Sequence, residues 1–201
     1  MRDLWTTRLL RARLDLGLQS LLADGWPLED PMNELPHHLM AKPAPPQVFL
    51  RDVYDTPIKG EHARDPVGFL WALLGERRPE ENISHTQMPS LREHIAFFDS
   101  LPYRHWYIIE AADGTWVGQA NLTKRNEVGI QIMGVHRRKG FARQALKRLL
   151  GIHSPLAPNP ADLPAMYVAN INPENEASIA LFQSLGATLL QVTYQLPGEL
   201  R

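Results

Sequence analysis

From Gln47 onward, apolar and polar positions alternate in short segments with two distinct periods. Six runs have the length and the β-branched or aromatic content of strands: VFLRDVY (48–54), HWYIIEA (105–111), TWVGQANL (115–122), EVGIQIM (127–133), AMYVANI (165–171) and TLLQVTYQL (188–196). Helical spacing predicts helices over 64–76, 90–101, 140–151 and 173–185. Ser90 followed by Glu93 is a capping-box pattern, and Gly186 closes the last helix. Asp113-Gly114 marks a hairpin, and a polar turn at 123–126 joins the next pair of strands. The order is strand, two helices, three meandering strands, helix, strand, helix, strand. It predicts an α/β (α+β) fold with a mixed, mostly antiparallel sheet and helices on both faces.

The first 46 residues follow another pattern. Leu10, Leu14, Leu18 and Leu21 fall at helical spacing, which predicts an amphipathic N-terminal helix over 3–22. Such a helix packs on the domain or on a partner subunit, so a homodimer is open. Six prolines between 27 and 46 then exclude regular structure and mark a linker. The expected division is an extension and linker over 1–46 and a domain over 47–201. Arg8, Arg11, Arg13 and Asp15 interrupt every apolar run near the N-terminus, which does not read as a secretory signal, and Asp3 and Asp15 do not suit a transit peptide. With no membrane-spanning stretch and no membrane partner in view, the expected location is the cytoplasm.

Composition narrows the chemistry. A chain of 201 residues with 44% hydrophobic and 21% charged residues is an ordinary globular balance, enough for one domain and an extension. The formal net charge of -1 provides no overall basic field and argues against tight tRNA or DNA binding. The absence of cysteine excludes disulfides, thiolate metal sites and a cysteine nucleophile, and no metal is expected. Any anion-binding surface has to be local.

One segment has that local character. In VHRRKGFARQALKRLL (135–150) a strand ends, Arg137-Arg138-Lys139 leads into Gly140, and a helix begins at once. Six of the twelve residues from 137 to 148 are cationic and none is acidic. Helix N-termini already offer unpaired amides and partial positive charge, so added cations there oppose the dipole. An anion at the helix start would cancel both, and Gly140 would let the backbone approach it closely. Arg143, Lys147 and Arg148 also read as a solvated basic face.

Arg137-x-x-Gly140-x-Ala142 resembles the (Q/R)-x-x-G-x-(G/A) signature of the GNAT superfamily of N-acetyltransferases. Asn175-Glu176-Ala177-Ser178-Ile179-Ala180-Leu181-Phe182, followed by Gly186-Ala187, is similar to the same family's second helix motif, in the right order and one strand and a loop further on. Together with the element order, the resemblance covers 47–196. It implies a GNAT-like sheet and acetyl-CoA as co-substrate. The coenzyme A pyrophosphate would be held by Arg137, Arg138, Lys139, Gly140, Phe141, Ala142 and Arg143. The pantetheine arm would enter between the strands at 128–133 and 165–171, pairing with backbone near Met133 and Val135, with Asn170, Asn175 and Ser178 on the opposite wall. Asn175 reads equally as a helix N-cap.

Acetyl transfer to an amine needs a route for the amine proton and donors for the thioester oxygen. Alternation places Glu127, Gly129, Gln131 and Met133 on one face, with Gln119 and Asn121 on one face of the neighbouring strand. That polar stripe is a substrate cleft or the solvated face of a meander. Glu127 is the first candidate base, on the family's habit of using a carboxylate on this strand, and His85 is the second. Many members have a tyrosine where this chain has Phe182, proposed there to protonate the departing thiolate. Phenylalanine cannot donate a proton. Either the thiolate leaves unassisted, or Tyr194 or water serves, or the protein binds the cofactor without catalysis. The acceptor expected first is a primary amine on a small molecule. A macromolecular amine on protein, tRNA or modified DNA is the alternative.

Overall fold

Four strands form where alternation predicts them: β1 (Val48–Asp52), β2 (His105–Ala111), β3 (Trp116–Leu122) and β4 (Val128–Ile132). They pair in chain order, every pair antiparallel. The computed structural model describes residues 44–55, 65–82, 87–158 and 165–193. The expected helix over 3–22, the linker up to residue 43, His85 and Tyr194 lie outside these. Among the described residues four α-helices accompany the sheet: α1 (Pro66–Gly75), α2 (Leu91–Asp99), α3 (Phe141–Ile152) and α4 (Glu176–Gln183).

Local chemistry accounts for the helix ends. Asp65 caps α1 by accepting from the Gly68 amide at 3.0 Å, and Pro66 occupies the first turn, where its missing N–H costs nothing. At α2 both halves of the capping box are made, with the Ser90 amide donating to Glu93 at 2.8 Å and the Glu93 amide to Ser90 Oγ at 3.3 Å. Helix α3 differs, because Gly140 in left-handed conformation (φ 86°) occupies its N-cap and no side chain caps it.

Both faces of the sheet are covered. On one, Ile109, Ala111, Ala120, Leu122, Val128 and Ile132 pack against Ala145, Leu146 and Leu149 of α3, with Leu181, Phe182 and Leu185 alongside. On the other, Val53, Trp106 and Ile108 meet Leu70 of α1 and Phe98 of α2. A bulge at Ile109/Glu110 opposite Trp116–Gly118 shifts the β2–β3 register. Beyond it Gln119, Asn121 and Gln131 share the face of α1 and α2.

Two expected strands are corrected. Residues 165–171 contribute a single parallel bridge, Glu127 to Val168. Residues 188–193 have no regular structure, and Leu189, Leu190 and Val192 are exposed. Strand-like composition describes what fits a pleated surface, but a ladder also needs an edge to pair with. Among the described residues the edge of β4 meets these segments at one point only.

Leu146 is fully buried between α3 and the sheet. Leu146→Ala should lower the unfolding free energy by about 2–5 kcal/mol in denaturant melts. Leu189→Ala, at a position 85% exposed, should stay within about 0.5 kcal/mol of the parent.

Candidate active site

The β4–α3 junction gathers most of the residues singled out in the sequence. After Ile132 a 3-10 turn runs from Gly134 to His136, Arg138 adopts a left-handed conformation (φ 61°), and Gly140 a second one. The first backbone bond into the helix is from the Gln144 amide to the Gly140 carbonyl, at 3.2 Å. Among the described residues, the amides of Arg138, Lys139, Gly140, Phe141, Ala142 and Arg143 have no acceptor. Six successive free donors at a helix start, with Arg138 and Gly140 both left-handed, are an arrangement able to hold an anion.

The cationic side chains do not all face that site. Arg137 forms a bidentate pair with Glu81, at 2.6 and 3.1 Å, and its Nε donates to the Ile132 carbonyl at 3.0 Å. Arg143 donates to Ser184 Oγ at 3.0 Å, tying α3 to the end of α4. Arg138 and Lys139 are exposed at the rim, and Phe141 packs inward against the core with its edge towards His136. The cradle is therefore mainly backbone, with Arg138 and Lys139 supplying charge around it.

Beside the cradle the edge of β4 opens. The Val128 amide donates outward to the Val168 carbonyl at 2.8 Å, while the Met133 amide donates inward to Val117 at 2.9 Å. Alternation between these two anchors turns the amides of Ile130 and Ile132 outward. The Met133 carbonyl accepts from the His136 amide at 2.9 Å, and Val135 lies 70% exposed in the 3-10 turn. The edge amides free among the described residues thus belong to Ile130 and Ile132, while the Ile132 carbonyl is taken by Arg137 and the Met133 amide by Val117. Past Val168 no further backbone bond joins the two segments among the described residues.

Glu127 lies where this opening closes. Its carboxylate accepts from Asn170 Nδ2 at 3.1 Å and from Thr123 Oγ1 at 3.2 Å, so two of the expected site residues meet here. Asn175 is the N-cap of α4 and accepts from the Ser178 amide at 3.1 Å, which engages the Ser178 backbone as well. Phe182 is half-buried against the core.

The polar stripe is neither solvated nor disordered in its bonding. Gln119, Asn121 and Gln131 are all buried, at 5%, 6% and 9% exposure. Gln119 Oε1 accepts from Trp106 Nε1 and from Asn121 Nδ2, each at 3.0 Å. Gln131 Oε1 accepts from Arg77 Nε at 2.9 Å, and its Nε2 donates to the Leu73 carbonyl.

Sequence reasoning missed the segment 76–82, which crosses this region. Its anchors are Glu76 Oε2 accepting from the Gly134 amide at 2.7 Å, the Glu81–Arg137 pair, and the Asn82 carbonyl accepting from Asn172 Nδ2 at 3.0 Å. The only signal was a dense run of opposite charges, Glu76-Arg77-Arg78 followed by Glu80-Glu81. Burial pushes the Glu81 carboxyl up, but its bonds with Arg137 and Arg78 more than offset that, and the net shift is downward. Among the described residues no cluster of three or more His, Asp or Glu is placed to hold a metal ion, and no helix is long and apolar enough to cross a membrane.

Because the Glu81 carboxyl is depressed in the folded state, its stabilising contribution is complete above the unfolded value, about 4.3. It is lost as pH falls through the lower folded value. Glu81→Gln should therefore flatten the acid limb of a stability-against-pH profile, measured by thermal melts below about pH 5. An unchanged acid limb would mean that the pair contributes nothing.

Residues 67–188 match the family model described as an acetyltransferase (GNAT) domain. No curated protein matches the chain. Among solved structures, a domain from Methanocaldococcus jannaschii DSM 2661 superimposes with a TM-score of 0.52 at 20% identity, over 70% of this chain and 88% of that one. A chimera of the Vibrio cholerae spermidine N-acetyltransferase SpeG with hSSAT has a TM-score of 0.48 at 18% identity, over 69% and 78% of the two chains. An N-acetyltransferase from Staphylococcus aureus Mu50 has a TM-score of 0.45 at 21% identity, over 70% and 82%.

Proposed function

The chain belongs to the GNAT acetyltransferase family, and on that premise we propose that it transfers an acetyl group from acetyl-CoA to a primary amine on a small molecule. The observation that carries the reading is the uncapped start of α3, with its six free amides, directly beside a strand edge that opens past one bridge. The residues present fit coenzyme A. The amides of 138–143 would hold the pyrophosphate, with Arg138 and Lys139 adding charge at the rim. Ile132 and Ile130 would pair with the amide groups of the pantetheine arm as a strand pairs with a sheet edge.

The Glu127–Val168 bridge closes the wedge and limits how far such an arm can run. Glu127 stands at the closed end of this wedge, where it would face the acetyl end of such an arm. Acetyl-CoA supplies an acetyl group activated as a thioester. Transfer forms a bond from the amine nitrogen to the acetyl carbon and breaks the carbon–sulfur bond. Glu127, oriented by Asn170 and Thr123, takes the amine proton directly or through water. The thiolate leaves unassisted, since a thiol of pKa about 8.5 is already a fair leaving group and Phe182 offers no proton. The macromolecular alternative has no observation of its own on this surface.

Calorimetry should show coenzyme A binding that weakens as salt rises. Gly140→Val should cut the affinity at least about tenfold, equivalent to ~1.4 kcal/mol, because a Cβ at φ 86° is strained and would lie 3.1 Å from Pro46 Cδ beside the cradle. Arg148→Ala, whose guanidinium lies over the Phe49 ring at 5.8 Å, should bind nearly as the parent does. Equal, small losses in both variants would refute the cradle. Glu127→Gln should lower kcat by about a hundredfold or more while leaving the coenzyme A affinity unchanged.

A further inference from the structure

Arg77 is the one guanidinium of the 76–82 segment without an ion-pair partner among the described residues. Glu81 is held by Arg137 through both oxygens and by Arg78 Nε at 3.1 Å, and Glu80 is 3.1 Å from Arg78. Glu76 is turned to the Gly134 amide. The three carboxylates of this segment are therefore bonded to other partners. Among the described residues Arg77 has one hydrogen bond, from Nε to Gln131, which fixes its plane and leaves both terminal nitrogens for another partner. Burial pushes the guanidinium down from the ordinary arginine range, and Tyr103 and Glu81 only partly oppose this. Arginine keeps its charge even so, and a half-buried charge without a counter-ion is costly.

A second donor lies next to it. Indole N–H can only donate, so Trp106 forces the oxygen of Gln119 to face it, and Asn121 donates to that same oxygen. The NH2 group of Gln119 is thereby turned away from both, with no acceptor among the described residues. Gln119 and Gln131 are directly opposite in the β3–β4 register, which places their side chains about 5 Å apart at Cβ on the α1–α2 face. Arg77 and Gln119 thus flank Gln131 with donors, one of them fully charged.

We propose that the acceptor carries an anionic oxygen group, carboxylate or phosphate, beside the amine it presents, and that Arg77 with Gln119 binds this group. The proposal rests on the acetyltransferase reading above and assigns its acceptor class. A polyamine is disfavoured, because its charges would be placed against Arg77 rather than against a free carboxylate. The planar guanidinium suits two-point recognition of an oxyanion.

The test follows acetyl-CoA-dependent thiol release with amines that differ in one anionic group. Ornithine against putrescine examines a carboxylate, and glucosamine 6-phosphate against glucosamine examines a phosphate. In one arm the anionic member should have a kcat/KM higher by about tenfold or more, mostly through KM. Arg77→Gln should bring that ratio close to one, and Arg77→Lys should keep part of it, with coenzyme A affinity unchanged in both. A ratio near one or inverted in both arms of the parent protein overturns the proposal. So does a ratio that survives Arg77→Gln, or no turnover of either anionic member. Calorimetry with coenzyme A on the same samples separates the two levels: failure to bind it removes the transferase reading itself, whereas binding without anion preference removes only the acceptor class.

Discussion

A backbone amide or carbonyl removed from water has to find a partner, and among the described residues the outer edge of β4 makes a single backbone bridge. The Val128 amide meets the Val168 carbonyl, and the Val168 amide meets the Asn126 carbonyl at 3.1 Å. Past this point the following segment turns away, with Asn172 reaching the Asn82 carbonyl. The amides of Ile130 and Ile132 are left facing the gap, and the uncapped start of α3 lies at its open end. Unpaired edges and bare helix starts are liabilities in a stable fold. Here the two adjoin, and together they have the donors for an extended ligand with an anionic end.

Asn126 holds that geometry in place. It is fully buried in a left-handed conformation (φ 60°) and bonds Leu156 in both directions, with its Oδ1 2.7 Å from the Leu156 amide and its Nδ2 3.2 Å from the carbonyl. The β3–β4 turn is thus fastened to the chain beyond α3, and the turn sets which residues of β4 face outward. On the other side of the sheet, segment 76–82 is fastened to the same junction by Glu76 and Glu81. Arg137 belongs to both regions: it stands just before the start of α3 yet uses its side chain to hold segment 76–82. Segment 76–82 and the turn leading into α3 are consequently parts of one bonded network.

Much of this was legible in the residues. Strands β2 and β3, the capping box at Ser90 and the Asp113-Gly114 turn depend on near neighbours, and each forms where local pattern places it. What depended on distant partners was not legible. Alternation gives the face of a side chain, but not which backbone groups point to which neighbour, so Met133 was expected at the edge where Ile130 and Ile132 stand. The pairing of Arg137 with Glu81 could not be read locally, because the two lie 56 residues apart. The strands expected at 165–171 and 188–196 had suitable composition, yet their described residues, 165–171 and 188–193, contribute a single bridge in all, because pairing is decided by the edge available. The polar stripe was read correctly as shared by two strands, while its burial depended on α1 and Arg77 covering it.

The central claim is that the amides of 138–143 and the open edge of β4 are one binding surface for coenzyme A. Backbone hydrogen exchange with and without coenzyme A tests this most directly, because it reads those amides one by one. Exchange should slow at Arg138 through Arg143 and at Ile130 and Ile132, with β1 and β2 unchanged. Coenzyme A bound at saturation with no protection at 138–143 would contradict the account.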